Sequence, residues 1–134
     1  MNEKIKLLSI GKKKCKPENS NSWAKTVERY APDMYELFYA AGEKEALKKV
    51  DELMPQIVLI LSSILQSDAL SGLKLLEKIK KIHPQAAVFV TIGMVDDEQE
   101  AIDAYIDGGA YKCYPAPVDM ESLFHDMYVA LNLE

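Results

Sequence analysis

Met54-Pro55-Gln56-Ile57-Val58-Leu59-Ile60-Leu61-Ser62-Ser63 is the stretch that decides the fold. Its consecutive aliphatic residues, followed by two serines, predict a strand that is buried on both faces, as central strands of parallel sheets are. A helical pattern precedes this strand and another follows it, up to Pro84. A strand between two helices is the core of a βαβ repeat. Because ligands bind such sheets where the strands end, Leu61, Ser62 and Ser63 bear directly on function.

Four more segments are predicted as strands from their apolar and aromatic content: Ile5–Gly11, Met34–Ala40, Ala87–Gly93 and Tyr111–Tyr114. Helical patterns separate them, and the predicted helix starts are Asn19–Ser22, Gly42 with Glu45, Asp96 with Gln99, and Asp119. Right-handed crossovers then favour an α/β, flavodoxin-like doubly wound three-layer sandwich, with a five-stranded parallel sheet of order 2-1-3-4-5 and five helices. Two helices should cover one face of the sheet and three the other.

Length and composition predict one ordinary globular domain over residues 1–134. The chain is 49% hydrophobic and 28% charged with a net charge of −5, which argues against nucleic acid as a partner. No apolar run approaches the roughly 20 residues of a membrane span, and no signal peptide is evident. Cys15 and Cys113 form no spaced motif, so we expect a reduced, cytoplasmic location and no membrane association.

Motifs for common cofactors are missing from the sequence. There is no G-x-G-x-x-G, no Walker loop, no Cys/His metal spacing and no flavin phosphate loop after the first strand. The two histidines, His83 and His125, are predicted at a helix end and on the last helix, as surface residues. Cys113 is either a redox sensor or, as we favour, a buried thiol that acts as a small hydrophobe. We therefore expect no cofactor and no metal.

From Ala46 to Leu131 the chain resembles a receiver domain of bacterial two-component response regulators, similar to the chemotaxis regulator. The segments that carry the resemblance are Ala46-Leu47, Met54–Ile60, Gly72-Leu73, Leu76, Ile79-Lys80, His83-Pro84, Gly109-Ala110 and Pro117. The first 40 residues match only in the predicted order of elements. The resemblance implies a phosphorylated aspartate, a magnesium site, a hydroxyl residue and a lysine at the strand ends.

Two of these positions, the phosphoacceptor and the magnesium-binding acids, have lost their chemistry. The phosphoacceptor position falls on Leu61, which has no nucleophilic oxygen. The acidic pair that holds magnesium in the family falls among Ser9, Ile10 and Gly11, which provide no cage of hard oxygen ligands. The resemblance is therefore to a degenerate receiver, or pseudo-receiver, with no catalytic residue and no bound metal.

The positions at the fourth and fifth strands are also altered. The hydroxyl that contacts the phosphoryl group falls on Ile92, or on Thr91 with a slip of one residue. The lysine falls on Ala116, and Pro117 corresponds to a proline whose peptide bond is typically cis in the family. Phosphoryl transfer needs the metal, the nucleophile and the cation together, so their joint loss predicts a domain that is not an enzyme.

Two classes of function follow. The first is a receiver-like domain in two-component signalling that acts by phosphorylation-independent contact with a protein partner or output domain. The alternative is a competent domain, either a receiver phosphorylated on an atypical residue such as Ser62, Ser63 or Asp68, or a small flavodoxin-like enzyme. The loss of acidic groups after the first strand favours the first class.

The predicted interaction surface is formed by the fourth helix, fifth strand and fifth helix. Tyrosines that serve as interface anchors cluster there: Tyr105, Tyr111, Tyr114 and Tyr128. Acidic residues crowd the fourth helix, so its partner should be basic, or a homodimer should pair them with Lys112 and other lysines. A Tyr105→Ala variant is expected to weaken such an association and leave the fold intact.

Overall fold

The computed structural model describes residues 4–11, 22–61, 72–92, 98–115 and 118–131. Strands and helices alternate along these ranges. In chain order they are β1 (Ile5–Gly11), α1 (Ser22–Tyr30), β2 (Tyr35–Ala41), α2 (Gly42–Leu53), β3 (Ile57–Leu61), α3 (Leu73–Ile82), β4 (Ala87–Ile92), α4 (Glu98–Asp107), β5 (Lys112–Pro115) and α5 (Met120–Leu131). The predicted sequence of five strands and five helices is confirmed, with strand boundaries that differ by about one residue.

All five strands form one parallel sheet in the order β2-β1-β3-β4-β5. This confirms the predicted doubly wound, flavodoxin-like topology. The strand β3 is the middle strand of the sheet. Its consecutive aliphatic side chains need a covering layer on each face, and all four are buried: Ile57, Val58, Leu59 and Ile60. The described residues contain no helix that is long and apolar enough to span a bilayer.

Side chains alternate along the strands and so form two cores, one on each face of the sheet. On one face, alternate residues such as Leu8, Val58 and Val90 pack with α2, α3 and α4. On the other face, Leu7, Leu59 and Phe89 are among those that pack with α1 and α5. The predicted distribution of three helices on one face and two on the other is therefore correct. We call the second layer the α1/α5 face.

Helix starts follow the sequence signals in part. The carboxylate of Asp119 accepts hydrogen bonds from the backbone N–H groups of Glu121 and Ser122, at 3.1 and 3.4 Å, and so caps α5 as predicted. The helix α2 begins at Gly42, but its N-cap residue Ala41 makes no side-chain capping bond. The predicted capping residues Asn19 to Asn21 and Asp96 lie outside the described residues.

The predicted stop after α4, at Gly108 and Gly109, has two physical reasons. Gly109 has a backbone φ of +115°, a conformation that strongly favours glycine. A Cβ atom on Gly108 would lie 2.9 Å from Cδ1 of Leu73, so the missing side chain allows α4 to end against the first turn of α3.

Candidate functional site

The carboxyl ends of β1, β3 and β4 are the place where the fold puts functional groups. These strands end in Ser9-Ile10-Gly11, in Leu61 and in Thr91-Ile92. None of these terminal residues carries an ionisable side chain. Ser9, Thr91 and Ile92 are buried, whereas Leu61 is partly buried against the α1/α5 core. The described part of this edge is thus apolar, with two hydroxyl groups.

Strand pairing decides which residues share a face here. Leu61 is paired with Thr91, and Thr91 is paired with Tyr114 on the next strand. Paired residues of neighbouring strands point to the same side of a sheet, so Thr91 lies beside Leu61 on the α1/α5 face. Ile92 points the other way, into the core under α2, α3 and α4. Of the two candidate positions, Thr91 is therefore the one that shares a face with Leu61, and the assignment of the hydroxyl position stays a prediction.

The described residues do not fit a magnesium ion. Ser9 is 2% exposed and its hydroxyl has no hydrogen-bond partner among them. One neutral hydroxyl is a poor substitute for the several carboxylate and carbonyl oxygens that magnesium takes. No group of three His, Cys, Asp or Glu side chains that could hold a metal occurs in the described ranges.

Several predicted site positions lie outside the described residues. These are Ala116 and Pro117 after β5, and Ser62, Ser63 and Asp68 after β3. The altered lysine position, the cis proline and the alternative acceptors therefore stay predictions.

Tyr105 was predicted as an interface anchor, and this is wrong. Its side chain is 0% exposed and lies in the core between α4 and the sheet. The backbone N–H of Gly72, which precedes α3, donates a hydrogen bond of 3.0 Å to the Tyr105 hydroxyl oxygen. The aromatic ring fills the core and the hydroxyl satisfies a buried donor at a helix start. Tyr105 therefore joins two helices and offers nothing to a partner.

The other three predicted anchors differ in exposure. Tyr111 and Tyr114 are partly buried, with ring centroids 5.2 and 6.5 Å from that of Phe89. The Tyr114 hydroxyl donates to Asp126 at 2.6 Å, and burial, with this carboxylate, raises the pKa of Tyr114 well above its ordinary value. Tyr128 is 55% exposed on α5. Only Tyr128 of the four therefore has the exposure that an anchor needs.

The surroundings of Cys113 and of the two histidines give none of them a catalytic role in the described part of the chain. Burial raises the pKa of the Cys113 thiol to about 12, so the reactive thiolate is scarce at neutral pH. This agrees with the interpretation of Cys113 as a small buried hydrophobe. His83 donates from Nε2 to the carbonyl oxygen of Pro55 at 3.0 Å, whereas His125 lies exposed on α5.

Sequence reasoning missed a groove between α1 and α5. Its volume is about 530 Å³ and it is lined by Tyr30, Ala31, Pro32, Met34, Tyr35, Glu121, Phe124, His125 and Tyr128. We call it the aromatic groove. Tyr30 and Tyr128 are its exposed aromatic residues, at 42% and 55%. Two tyrosines close together in the sequence, Tyr30 and Tyr35, were the signal for such a groove. The α5 residues that complete it lie far away in the sequence, so the groove could not be recognised from the sequence.

The strand order defines the class of the domain, and comparison with solved structures defines its fold within that class. The class is that of flavodoxin-like, doubly wound α/β domains. Within it, the fold is that of response regulator receiver domains. A receiver domain protein of Clostridium thermocellum superposes with a TM-score of 0.75 at 22% identity, covering 96% of this chain and 94% of that one.

Two further solved structures agree. A two-component response regulator of Clostridium difficile has a TM-score of 0.74 at 18% identity, with 97% of this chain and 98% of that chain covered. NtrX of Brucella abortus has a TM-score of 0.72 at 23% identity, with 96% of this chain but only 28% of NtrX covered. No protein-family model matches the sequence, and no curated protein matches it. The likeness thus concerns the fold.

Proposed function

We propose that this chain is a receiver-like domain of two-component signal transduction that acts through protein contact without being phosphorylated. The observation that carries the proposal is the chemistry of the strand ends on a receiver fold. Where the resemblance calls for carboxylates, β1 ends in Ser9-Ile10-Gly11 and β3 ends in Leu61. A leucine offers no oxygen for an acyl phosphate, and a buried serine hydroxyl does not replace a pair of metal-binding acids.

The proposal includes the absence of enzymatic activity and a cytoplasmic location. The first rests on the joint loss of the nucleophile and the metal-binding acids, because the remaining groups alone do not stabilise a phosphoryl transition state. The second rests on the composition of the chain and on Cys113, which the fold keeps as a buried free thiol. A protein partner or an output domain would then read the surface of the domain.

Incubation with acetyl phosphate and Mg²⁺ should add no phosphoryl mass to the protein. Intact-mass spectrometry is the measurement, and a receiver domain that retains its aspartate is the positive control. Amide NMR with Mg²⁺ and beryllofluoride should likewise show no saturable shifts at Ser9, Leu61 or Thr91. A stoichiometric adduct would contradict the proposal, and its location at Ser62, Ser63 or Asp68 would identify an atypical acceptor instead.

The proposed contact surface includes the outer side of α4. Its acidic side chains, Glu98, Glu100, Asp103 and Asp107, are all exposed, and α4 carries no basic residue. Lys112 on β5 is also exposed, and its Nζ lies 3.9 Å from the carboxylate of Asp126 on α5. Such a surface suits a basic partner or a homodimer in which lysines of one copy approach α4 of the other.

Asp103→Lys should weaken this association about two- to fivefold, the range of a single exposed ion pair. Concentration-dependent sedimentation, or titration with a partner once one is identified, measures the change at low and high salt. The matched control is Asp51→Lys on α2, which makes the same charge change at an exposed position on another helix. Equal effects of the two variants would show that net charge matters and the α4 surface does not.

A further inference from the structure

We propose that the aromatic groove between α1 and α5 binds an arginine side chain of a protein partner. The inference goes beyond the function proposed above, because it holds whether or not the strand ends accept a phosphoryl group. It concerns the α1/α5 face, whereas the acidic surface of α4 belongs to the opposite layer.

Two parallel aromatic rings line the groove. The rings of Tyr30 and Phe124 are stacked with a centroid distance of 5.3 Å and an interplanar angle of 6°. Tyr128, one turn further along α5, contributes a third aromatic ring that is largely exposed. Exposed aromatic faces carry partial negative charge and attract cations. Tyr30 and Tyr128 both expose their rings to water beside the groove, and binding of a cation would explain this exposure.

The charged residues of the groove point to the same kind of ligand. Glu121 is exposed and lines the groove. Among the described lining residues the one basic side chain is His125, and there is no lysine or arginine. An anionic ligand would therefore meet a carboxylate and aromatic faces, and would be repelled. The net charge of −5 also favours approach by a basic partner.

The buried hydroxyl of a residue that lines the groove supplies a second, independent observation. Tyr35 lines the groove, is 6% exposed, and its hydroxyl has no hydrogen-bond partner among the described residues. Burial raises its pKa to about 12, so the phenol stays protonated at neutral pH. A buried polar group without a partner is unfavourable. A donor that reached the floor of the groove would relieve this by bonding to the phenol oxygen.

Among cations, the guanidinium group fits these features best. It is planar and stacks on flat aromatic surfaces, whereas an ammonium group is compact and strongly hydrated. It has five N–H donors and no acceptor, which suits both the Glu121 carboxylate and the Tyr35 oxygen. The volume of about 530 Å³ is within the usual range for ligand pockets. It leaves room for the residues that flank the arginine.

The test uses three capped tripeptides, Gly-Arg-Gly, Gly-Lys-Gly and Gly-citrulline-Gly, titrated into the full chain and followed by amide NMR. Citrulline has nearly the shape of arginine but no charge. We expect saturable shifts concentrated at residues 30–35 and 121–128, with the arginine peptide bound roughly threefold or more tightly than the lysine peptide. Citrulline should show no saturable binding. Equal shifts with citrulline, or arginine-induced shifts centred on α4, would overturn the proposal.

Variants assign the effect to the groove. Tyr30→Ala and Tyr128→Ala should each weaken binding of the arginine peptide about threefold to tenfold, and Glu121→Gln should weaken it less. The matched controls are Ile106→Ala, which removes a side chain of equal exposure to Tyr30 from α4, and Glu100→Gln, which removes a charge there. These controls should bind as the parent does. If neither tyrosine variant changes the affinity, the proposal fails.

Tyr35→Phe separates a ligand contact from a structural role. Loss of the unpartnered hydroxyl should raise the melting temperature of the free protein and at the same time weaken binding of the arginine peptide. A purely structural tyrosine would change only the first quantity. Sedimentation without peptide completes the test: a Tyr128→Ala variant that dissociates a pre-existing dimer would assign the groove to a second copy of the chain and would overturn the proposal.

Discussion

Tyr105→Ala is expected to destabilise the domain by about 3–5 kcal/mol, the usual cost of removing a buried aromatic side chain. Among the residues whose burial the structure describes, Tyr105 is the largest fully buried side chain, and it contacts the core that α2, α3 and α4 share with the sheet. The substitution leaves a cavity, and it also removes the hydroxyl that accepts the Gly72 N–H. For a domain stabilised by about 5–15 kcal/mol, this is a large fraction of the total.

Urea unfolding at equilibrium measures this loss, and two controls divide it. Tyr105→Phe keeps the ring and removes only the hydroxyl, so it should lose about 1–3 kcal/mol. Tyr128→Ala makes the same truncation at an exposed position and should change the stability by no more than about 0.5 kcal/mol. If Tyr105→Ala unfolded at the same urea concentration as the parent, the packing of α4 described above would be incorrect.

This result would also change how the α4 surface is studied. The sequence suggested that Tyr105→Ala would test an interface in an intact fold, but burial of the side chain makes the variant a test of stability. Loss of binding in that variant would reflect unfolding and not a missing contact. Substitutions of exposed residues such as Asp103 are therefore the appropriate probes.

Leu61→Asp is expected to destabilise the domain by about 2 kcal/mol, at the low end of what an unpaired buried charge costs. Leu61 ends the central strand and packs against the α1/α5 core while remaining partly exposed. An aspartate there would remove apolar contacts and place a carboxylate beside Thr91, the paired residue on β4. Partial exposure lets water reach the carboxylate, so the expected loss of stability is smaller than for a fully buried charge.

Two comparisons isolate the charge in this prediction. Leu61→Asn has nearly the shape of the aspartate without its charge, so the difference between the two urea midpoints reports the charge itself. Lowering the pH should also narrow this difference, because a desolvated carboxyl has a raised pKa and becomes neutral as the pH falls through it. An unchanged urea midpoint for Leu61→Asp would show that residue 61 is solvated and that the residue correspondence at β3 is wrong.

The sequence by itself determined the architecture. The aliphatic run Ile57–Leu61 and the helical stripes around it are local patterns, and burial on two faces has one common structural answer, a parallel sheet covered by helices. Right-handed crossovers then restricted the strand order to 2-1-3-4-5, which the structure confirms. The identity of the residues at the strand ends could also be read directly from the sequence, since the side chain of Leu61 carries no oxygen in any conformation.

Tertiary structure alone decided which tyrosines are available for contact. Tyr105 and Tyr128 carry the same side chain on neighbouring helices in the sequence, yet one is 0% and the other 55% exposed. The sequence predicted Tyr105 as an exposed anchor, and no local pattern showed that its phenol reaches across to Gly72. Burial of a polar tip depends on whether a distant group can bond to it.

The strand register and the aromatic groove were likewise beyond the sequence. A slip of one residue reverses the face of every side chain in a strand, so only the pairing of Leu61 with Thr91 separates Thr91 from Ile92. The groove combines residues of α1 and the turn after it with residues of α5, which are about 90 positions apart in the chain. Local sequence patterns predict which segments form helices and strands, whereas contacts between distant segments form only when the sheet brings them together.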